Sequence, residues 1–275
     1  MATLYVVATP LGNLADLSPR AAEVLRGVAV VAAEDTRRTR GLLTHLGATP
    51  RLLSFHAHSP ERRTALLLEI LGDGRDIALV TDAGTPGVSD PGPELVRAAR
   101  DAGFPVVPLP GPSAVATALS ASGLGADRYL FLGFLPRKGA ERQRLLQRAA
   151  AAEWSVVLFE APARLAALLT ELTALGAGER RAVVARELTK VHEEIRAGTL
   201  ADLADYYSVN EPRGEITVVL EGTGAPAPAE DRTEEARERA EALLAEGVSR
   251  REVALRLSTT LGLSRNAAYR LVMEI

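Results

Sequence analysis

The chain has 275 residues, 47% of them hydrophobic, a formal charge of −3 and no cysteine. That length holds one large domain or two modest ones with an appendage, and the missing cysteines exclude thiolate catalysis, zinc–thiolate sites and disulfides, which suits a cytoplasmic protein. No apolar run nears the ~20 residues that span a bilayer, the N-terminus lacks the basic region of a signal peptide, and the net charge gives no global pull toward nucleic acid.

In chain order, residues 4–8 are a β-rich apolar run closed by Thr9-Pro-Leu-Gly-Asn13. Ser18 and Pro19 start a helix through Arg26, serine as N-cap and proline in the first turn. Residues 28–33 form a second buried strand that ends in a burst of charge, Glu34-Asp-Thr-Arg-Arg-Thr-Arg40. Residues 52–55 are a third short strand, followed by His56-Ala-His58, and Ser59-Pro60 starts a helix to Leu71. Residues 77–80 are apolar, long enough for a buried strand and too short for a helix. They open into Thr81-Asp-Ala-Gly-Thr-Pro-Gly-Val-Ser-Asp-Pro-Gly92, a loop stiff at each proline and permissive at each glycine. A helix over 94–101 and a strand over 104–109 follow. The alternation predicts a parallel sheet with helices on its faces. Ligands of such sheets sit in the loops at the carboxyl ends of strands, and the 81–92 loop is longer than a plain connection needs.

Pro110-Gly-Pro-Ser113 punctuates the chain, with Ser113 as the cap of a small-residue helix, and the domain boundary falls within residues 110–130. The second half has a less regular α/β rhythm. Strands are expected at 128–132, 154–159, 181–186 and 214–220, an antiparallel one at 192–197, and helices at 140–152 and 163–175. Residues 222–228 read as a linker. Beyond it the chain turns wholly helical. Asp231-x-x-Glu234 and Ser249-x-x-Glu252 read as capping boxes. Gly247 and Gly262 end the two helices, and Ser264 caps a third. Short helices of this kind suggest helix-turn-helix geometry; the alternative is a small bundle that docks on the body or on a second subunit. The expected architecture is α/β, with domains at 1–115 and 116–225 and a helical extension at 230–275.

Neither the dinucleotide fingerprint Gly-x-Gly-x-x-Gly nor a phosphate loop is present, so a Rossmann cofactor or nucleoside triphosphate is not signalled. Glu34, Asp35, Glu187, Lys190 and His192 follow apolar strands, where side chains reach a cleft. Positive charge is local: Arg37, Arg38 and Arg40 after one strand; Arg137, Lys138, Arg142, Arg144 and Arg148 around one helix start; Arg250, Arg251 and Arg256 in the tail. Such clusters make salt-dependent phosphate contacts or are solvated helix faces. His56 and His58 have metal-site spacing but no partner stands near them, and no metal is expected.

Six motifs occur in order: Val7-Ala-Thr-Pro-Leu-Gly-Asn13, Ala33-Glu-Asp-Thr-Arg37, the 81–92 loop, Leu109-Pro-Gly-Pro-Ser113, Phe134-Leu-Pro-Arg-Lys138 and Ala185-Arg-Glu-Leu-Thr-Lys190. Together they resemble a ribosomal-RNA-modifying branch of the tetrapyrrole methylase family over residues 3 to about 222, and the tail resembles that branch's C-terminal extension. The resemblance implies two α/β domains with S-adenosylmethionine folded into the cleft between them, and a homodimer. It implies methyl transfer to the ribose 2′-hydroxyl of a cytidine in the decoding region of 16S rRNA, within the small ribosomal subunit. By the same resemblance Pro10, Asp82, Thr85, Ser113, Ala114, Phe159, Leu188 and Glu215 match cofactor-contacting segments. Glu187 and Lys190 are the first choice for catalysis, with an ion pair at a strand end as the alternative, and Arg37, Arg38, Arg40, Arg137 and Lys138 for RNA. A tetrapyrrole or diphthine methyltransferase on the same fold, and a non-catalytic RNA-binding assembly protein, stay open as other readings.

Overall fold

The structure, a computed structural model, describes residues 2–224, 229–245, 247–260 and 265–275, and the side chains of all of these except 229–235, 259 and 265–267. Residues up to Thr223 form one compact unit and those from Gly224 onward another.

The first unit opens with β1 (Leu4–Val7), α1 (Pro19–Gly27), β2 (Val30–Ala33), α2 (Thr36–Leu46), β3 (Arg51–Ser54), α3 (Glu61–Gly72), β4 (Ile77–Val80), α4 (Pro93–Asp101) and β5 (Val106–Leu109). The five strands are all parallel, in the order β3-β2-β4-β1-β5, as the alternation requires. The inner strands β2 and β4 are buried throughout and apolar on both faces because both are covered, whereas the edge strands expose Arg51 in β3 and Pro108 in β5. Ile77 and Leu79 pack with Leu67, Ile70 and Leu95 from α3 and α4. Ala78 and Val80 pack with Leu25 and Leu42 from α1 and α2. Ser18 caps α1 by accepting from the Ala21 N–H, with Pro19 in the first turn. The charged run after β2 is the start of α2. Asp35 is its N-cap and accepts from the Arg37 N–H, and Gly47 closes it in the left-handed region.

The second half of this unit runs α5 (Ala114–Ser122), β6 (Tyr129–Phe134), α6 (Ala140–Ala150), β7 (Ser155–Glu160), α7 (Pro162–Leu172), β8 (Arg181–Arg186), β9 (Glu194–Thr199), α8 (Leu200–Val209) and β10 (Ile216–Leu220). Its sheet is mixed, in the order β6-β7-β10-β8-β9. Only β6 and β7 are parallel; β10 pairs antiparallel with β7 and β8, and β9 antiparallel with β8. One face, with Val156, Leu158, Val184 and Val218, is covered by α6, α7 and α8. On the other face Val157, Val183 and Val219 meet Val115, Ala118 and Leu119 of α5, and Leu11 and Val88 from first-half loops pack against the same cluster. α5 therefore belongs with the second sheet, and the two sheets meet where the loops of the first reach that face.

The second unit contains α9 (Ala229–Ala245), α10 (Arg250–Thr260) and α11 (Arg265–Glu274). Ala236, Ala240, Val253, Leu257, Leu271 and Val272 form its core. Gly247, with φ +80°, follows α9, and the Ser249 hydroxyl accepts from the Glu252 N–H at 3.4 Å, half of the expected capping box. α9 begins at Ala229, two residues before Asp231, so the expected Asp231–Glu234 box falls inside the helix rather than at its start. The expected linker at 222–228 is described only to Gly224, and the helix end at Gly262 and the Ser264 cap lie outside the described residues.

Candidate active site

The carboxyl ends of β1, β2 and β4 are tied to one another by their own loops. Thr9 and Gly84 exchange both backbone hydrogen bonds, at 2.9 and 3.0 Å, and the Thr9 hydroxyl donates to the Thr81 carbonyl at 3.1 Å. The Asp82 carboxylate accepts the Asp35 N–H at 3.0 Å, while the Glu34 carboxylate accepts the Asp82 N–H at 3.3 Å. Two acidic side chains thus fix each other's strand ends. The Thr85 hydroxyl donates to the Pro112 carbonyl at 3.1 Å, which joins this corner to the turn before α5.

Against this corner lies a cavity of about 250 Å³. First-sheet loops contribute Leu11, Glu34, Arg38, Asp82, Gly84, Thr85, Val88 and Asp90, and the second half contributes Ser113, Ala114, Phe134, Phe159, Leu188, Glu215 and Thr217. Its walls are apolar and its polar groups are mostly carboxylates: Glu34, Asp82, Asp90 and Glu215, with Arg38 the single basic residue in the lining. Arg38 reaches Asp82 at 3.6 Å. Burial pushes the Asp90 carboxyl up to about 6, and the negative charges of Glu34, Asp82 and Glu215 add to the rise.

Seven of the eight residues expected to contact a cofactor line this one cavity: Asp82, Thr85, Ser113, Ala114, Phe159, Leu188 and Glu215. Pro10 lines a neighbouring hollow that shares Arg38 and Asp82 with it. Glu34, Asp90, Leu11, Val88 and Phe134 join the lining from outside that set. Glu34 and Asp90 stand directly after strands or in the long loop, a signal the sequence carries. Phe134 reaches the lining through a strand irregularity.

Glu187 and Lys190 sit beside the cavity, in a cleft with Gly12, Asn13 and His192. The Lys190 ammonium donates to Glu187 at 2.7 Å and to Glu215 at 3.2 Å. Glu187 also accepts the Glu215 N–H at 3.0 Å. Burial works to raise the Glu187 carboxyl, but Lys190 and the Glu215 N–H hold it below its usual range. Burial likewise opposes the Lys190 charge, and the two carboxylates hold the ammonium above its usual range. Both groups are therefore charged near neutrality. Glu187 and Thr189 have φ of +53° and +66°, and a side chain at Gly214 would collide with the Glu187 carboxylate.

Of the basic residues, Arg37 is exposed and paired with Asp35 at 2.8 Å, which holds the Asp35 carboxyl down at about 2. Arg38 is at the cavity rim, and Arg40 is exposed on α2. Arg137 and Lys138 are exposed after β6, whereas Arg142 is buried and paired with Glu171 at 2.6 Å. His56 Nδ1 accepts the His58 N–H at 3.2 Å in a local turn. Among the described residues no group of three His, Asp or Glu side chains is placed to hold a metal ion, and no helix is long and apolar enough to cross a membrane.

Two sheets of this order, with a cavity at the loops of the first, define the tetrapyrrole-methylase fold. A solved uroporphyrin-III C-methyltransferase from Thermus thermophilus, complexed with S-adenyl homocysteine, superposes with a TM-score of 0.59 at 19% identity, over 79% of this chain and 97% of its own. The family model for tetrapyrrole (corrin/porphyrin) methylases matches residues 3–204. A curated relative from Synechocystis, named ribosomal RNA small subunit methyltransferase I, is 46% identical over 100% of this chain and 99% of its own. One of the same name from Pseudomonas aeruginosa is 44% identical over 99% and 97%. The chain belongs to the tetrapyrrole methylase family, and within it to the group of ribosomal RNA small subunit methyltransferase I proteins.

Proposed function

We propose that the chain transfers a methyl group from S-adenosylmethionine to the ribose 2′-hydroxyl of a cytidine in 16S rRNA of the small ribosomal subunit, and that it acts in the cytoplasm as a homodimer. The observation that carries the rRNA methyltransferase reading is near-complete coverage, at 46% identity, of a relative named ribosomal RNA small subunit methyltransferase I; the cytidine 2′-hydroxyl and the homodimer rest on the motif resemblance.

The cavity fits the donor by its chemistry. Phe159, Leu188, Ala114 and Val88 offer an apolar slot for an adenine. Ser113 caps α5 without a side-chain cap hydrogen bond, so its hydroxyl can turn to a ligand. Four carboxylates around an apolar wall favour a ligand with positive charge. When bound, the donor supplies an electrophilic methyl on a sulfonium, so the hard part of the chemistry is its own.

The protein's share is alignment and charge. Asp82, Thr85 and Glu215 stand where they can fix ribose and amino groups of the donor, and a near-attack arrangement supplies much of the rate. Glu187 is held ionised and is a weak base. Lys190 keeps its proton and is suited to stabilising charge that develops on the attacking oxygen. Arg37, Arg40, Arg137 and Lys138 are exposed cations for the RNA backbone.

Methyl-labelled S-adenosylmethionine, incubated with the chain and in turn with small ribosomal subunits, a uroporphyrinogen and a diphthine precursor, tests the reading. Label in the RNA alone is expected. Label in the tetrapyrrole or the protein would replace it, and tight donor binding without any transfer would make the chain a non-catalytic binder.

A further inference from the structure

The strand that leads to the basic loop carries a bulge. In β6, Phe131 pairs with Val157 and Phe134 with Phe159, so three steps along β6 match two along β7. The extra residue reverses the alternation of side chains. Leu130 and Leu132 pack on the core under α6 and α7, and Leu135 joins the same core, although strict alternation would send it to the opposite face. Phe134 consequently shares the cavity face with Phe131, and its ring lies 5.5 Å from that of Phe159. Gly133 makes the bulge with φ +59°, and a Cβ there would lie 2.6 Å from the Ser89 hydroxyl of the 81–92 loop.

Burial does not explain Phe134. It lines the cavity yet is 56% exposed, while the neighbouring Phe159 and Phe131 are half-buried. The segment just after it is clamped from below. The Arg164 guanidinium donates to the Leu135 carbonyl at 3.3 Å and pairs with the fully buried Glu160. Arg142 donates to the Pro136 carbonyl at 3.0 Å and pairs with Glu171. From this anchor the chain presents Arg137 and Lys138, both exposed and neither with an ion-pair partner among the described residues.

A half-exposed aromatic ring at the mouth of the cavity, followed directly by an anchored backbone and three and four residues before two unpaired cations, is the arrangement that holds a flipped or single-stranded nucleotide, ring against base and cations against phosphate. We propose that Phe134 is the stacking platform for a base of the RNA substrate at the mouth of the cavity, with Arg137 and Lys138 on the adjoining backbone. This rests on the rRNA reading above and adds a substrate-binding residue to it.

The test compares Phe134→Leu, Phe134→Ala and Phe134→Tyr with the wild type in two readouts: methyl transfer to small subunits and calorimetric binding of S-adenosylmethionine, which also reports folding of each variant. Phe134→Leu and Phe134→Ala are expected to lose roughly 5- to 150-fold in kcat/KM for small subunits, the range that base stacking commands. Donor affinity should stay at the wild-type value, and Phe134→Tyr should restore transfer. Wild-type kcat/KM in Phe134→Leu overturns the proposal. So does a parallel loss of donor affinity in the Leu and Ala variants, which would assign the ring to the cofactor. A wild-type chain that transfers nothing to small-subunit RNA removes the underlying reading instead, and the proposal with it.

Discussion

Lys190 spans two surfaces of the site: its ammonium is shared between Glu187 at 2.7 Å and Glu215 at 3.2 Å, and its alkyl stem lies over Gly12 so closely that a side chain at position 12 would occupy the same space. Glu215 belongs to the cavity and Gly12 to the cleft beside it. Glu187 and Lys190 therefore stand at the boundary between the cavity and the cleft.

If that boundary is where the attacking hydroxyl arrives, Lys190→Ala should keep donor binding and lower turnover by roughly 10²–10³-fold, as loss of one preorganised charge does. Glu187→Ala, which frees the ammonium, should also bind donor and turn over slowly. Single-turnover methyl transfer with calorimetry checks both. Wild-type turnover in the two variants would remove them from the mechanism.

Asp90 sets a pH dependence. Its carboxyl is raised to about 6 by burial and by Glu34, Asp82 and Glu215. A raised carboxyl favours the folded state only while protonated, so that contribution is full below about 4 and is lost as pH rises through about 6. Asp90→Asn should therefore melt about 2–6 °C higher than wild type at pH 8 and at the same temperature near pH 4. A cationic donor favours the ionised form, so S-adenosylmethionine affinity should strengthen between pH 5 and 7.5. The neutral thioether product should show little of this. Equal pH profiles for the two ligands would contradict the electrostatic account.

Glu160 has no exposed side-chain surface and relies on Arg164 and the Ala161 N–H. Removing one partner of a buried pair costs about 3–5 kcal/mol, because the remaining charge is stranded. Arg164→Met should therefore lose about that much in urea unfolding, and Arg164→Met with Glu160→Met should recover part of it. An additive double variant would show that the two groups do not interact.

Arg137 and Lys138 make a salt-dependence prediction. If both neutralise phosphates, the doubly substituted Arg137→Ala, Lys138→Ala chain should bind small subunits with a log–log salt slope shallower by about 1.4, at ~0.7 per contact on single strands. An unchanged slope would place them outside the interface.

Much of the fold is written in local pattern. The five short apolar runs before Leu109 each became a parallel strand; in β2 and β4 their continuous hydrophobicity fits burial on both faces. Ser18, Pro19 and Pro93 mark helix starts where caps and fixed φ act within a few residues. α2 gives little local signal because it begins with Thr36-Arg-Arg-Thr-Arg40, which reads as a charged loop, and its buried stripe of Thr39, Leu42 and Leu43 lies further along. α8 carries a local signal: Thr199 and Asp202 form a reciprocal capping box, and Leu200, Leu203, Ala204 and Tyr207 lie on one face. The β6 bulge left only a glycine inside an apolar run. Its effect on Phe134 depends on pairing with β7, which no local pattern states. For the same reason the loop around Asp82 was visible as a ligand loop, whereas the gathering of Glu34, Asp82, Asp90 and Glu215 around one cavity needs both sheets in place.

On the proposed function, the cavity aligns a sulfonium methyl with a ribose oxygen of small-subunit RNA. Small subunits from a strain lacking this gene, methylated in vitro by the purified chain and mapped by mass spectrometry of nuclease fragments, test it most directly. One added methyl on the ribose 2′-oxygen of a cytidine in 16S rRNA is expected. A methyl on a base, or none on the RNA, would contradict it.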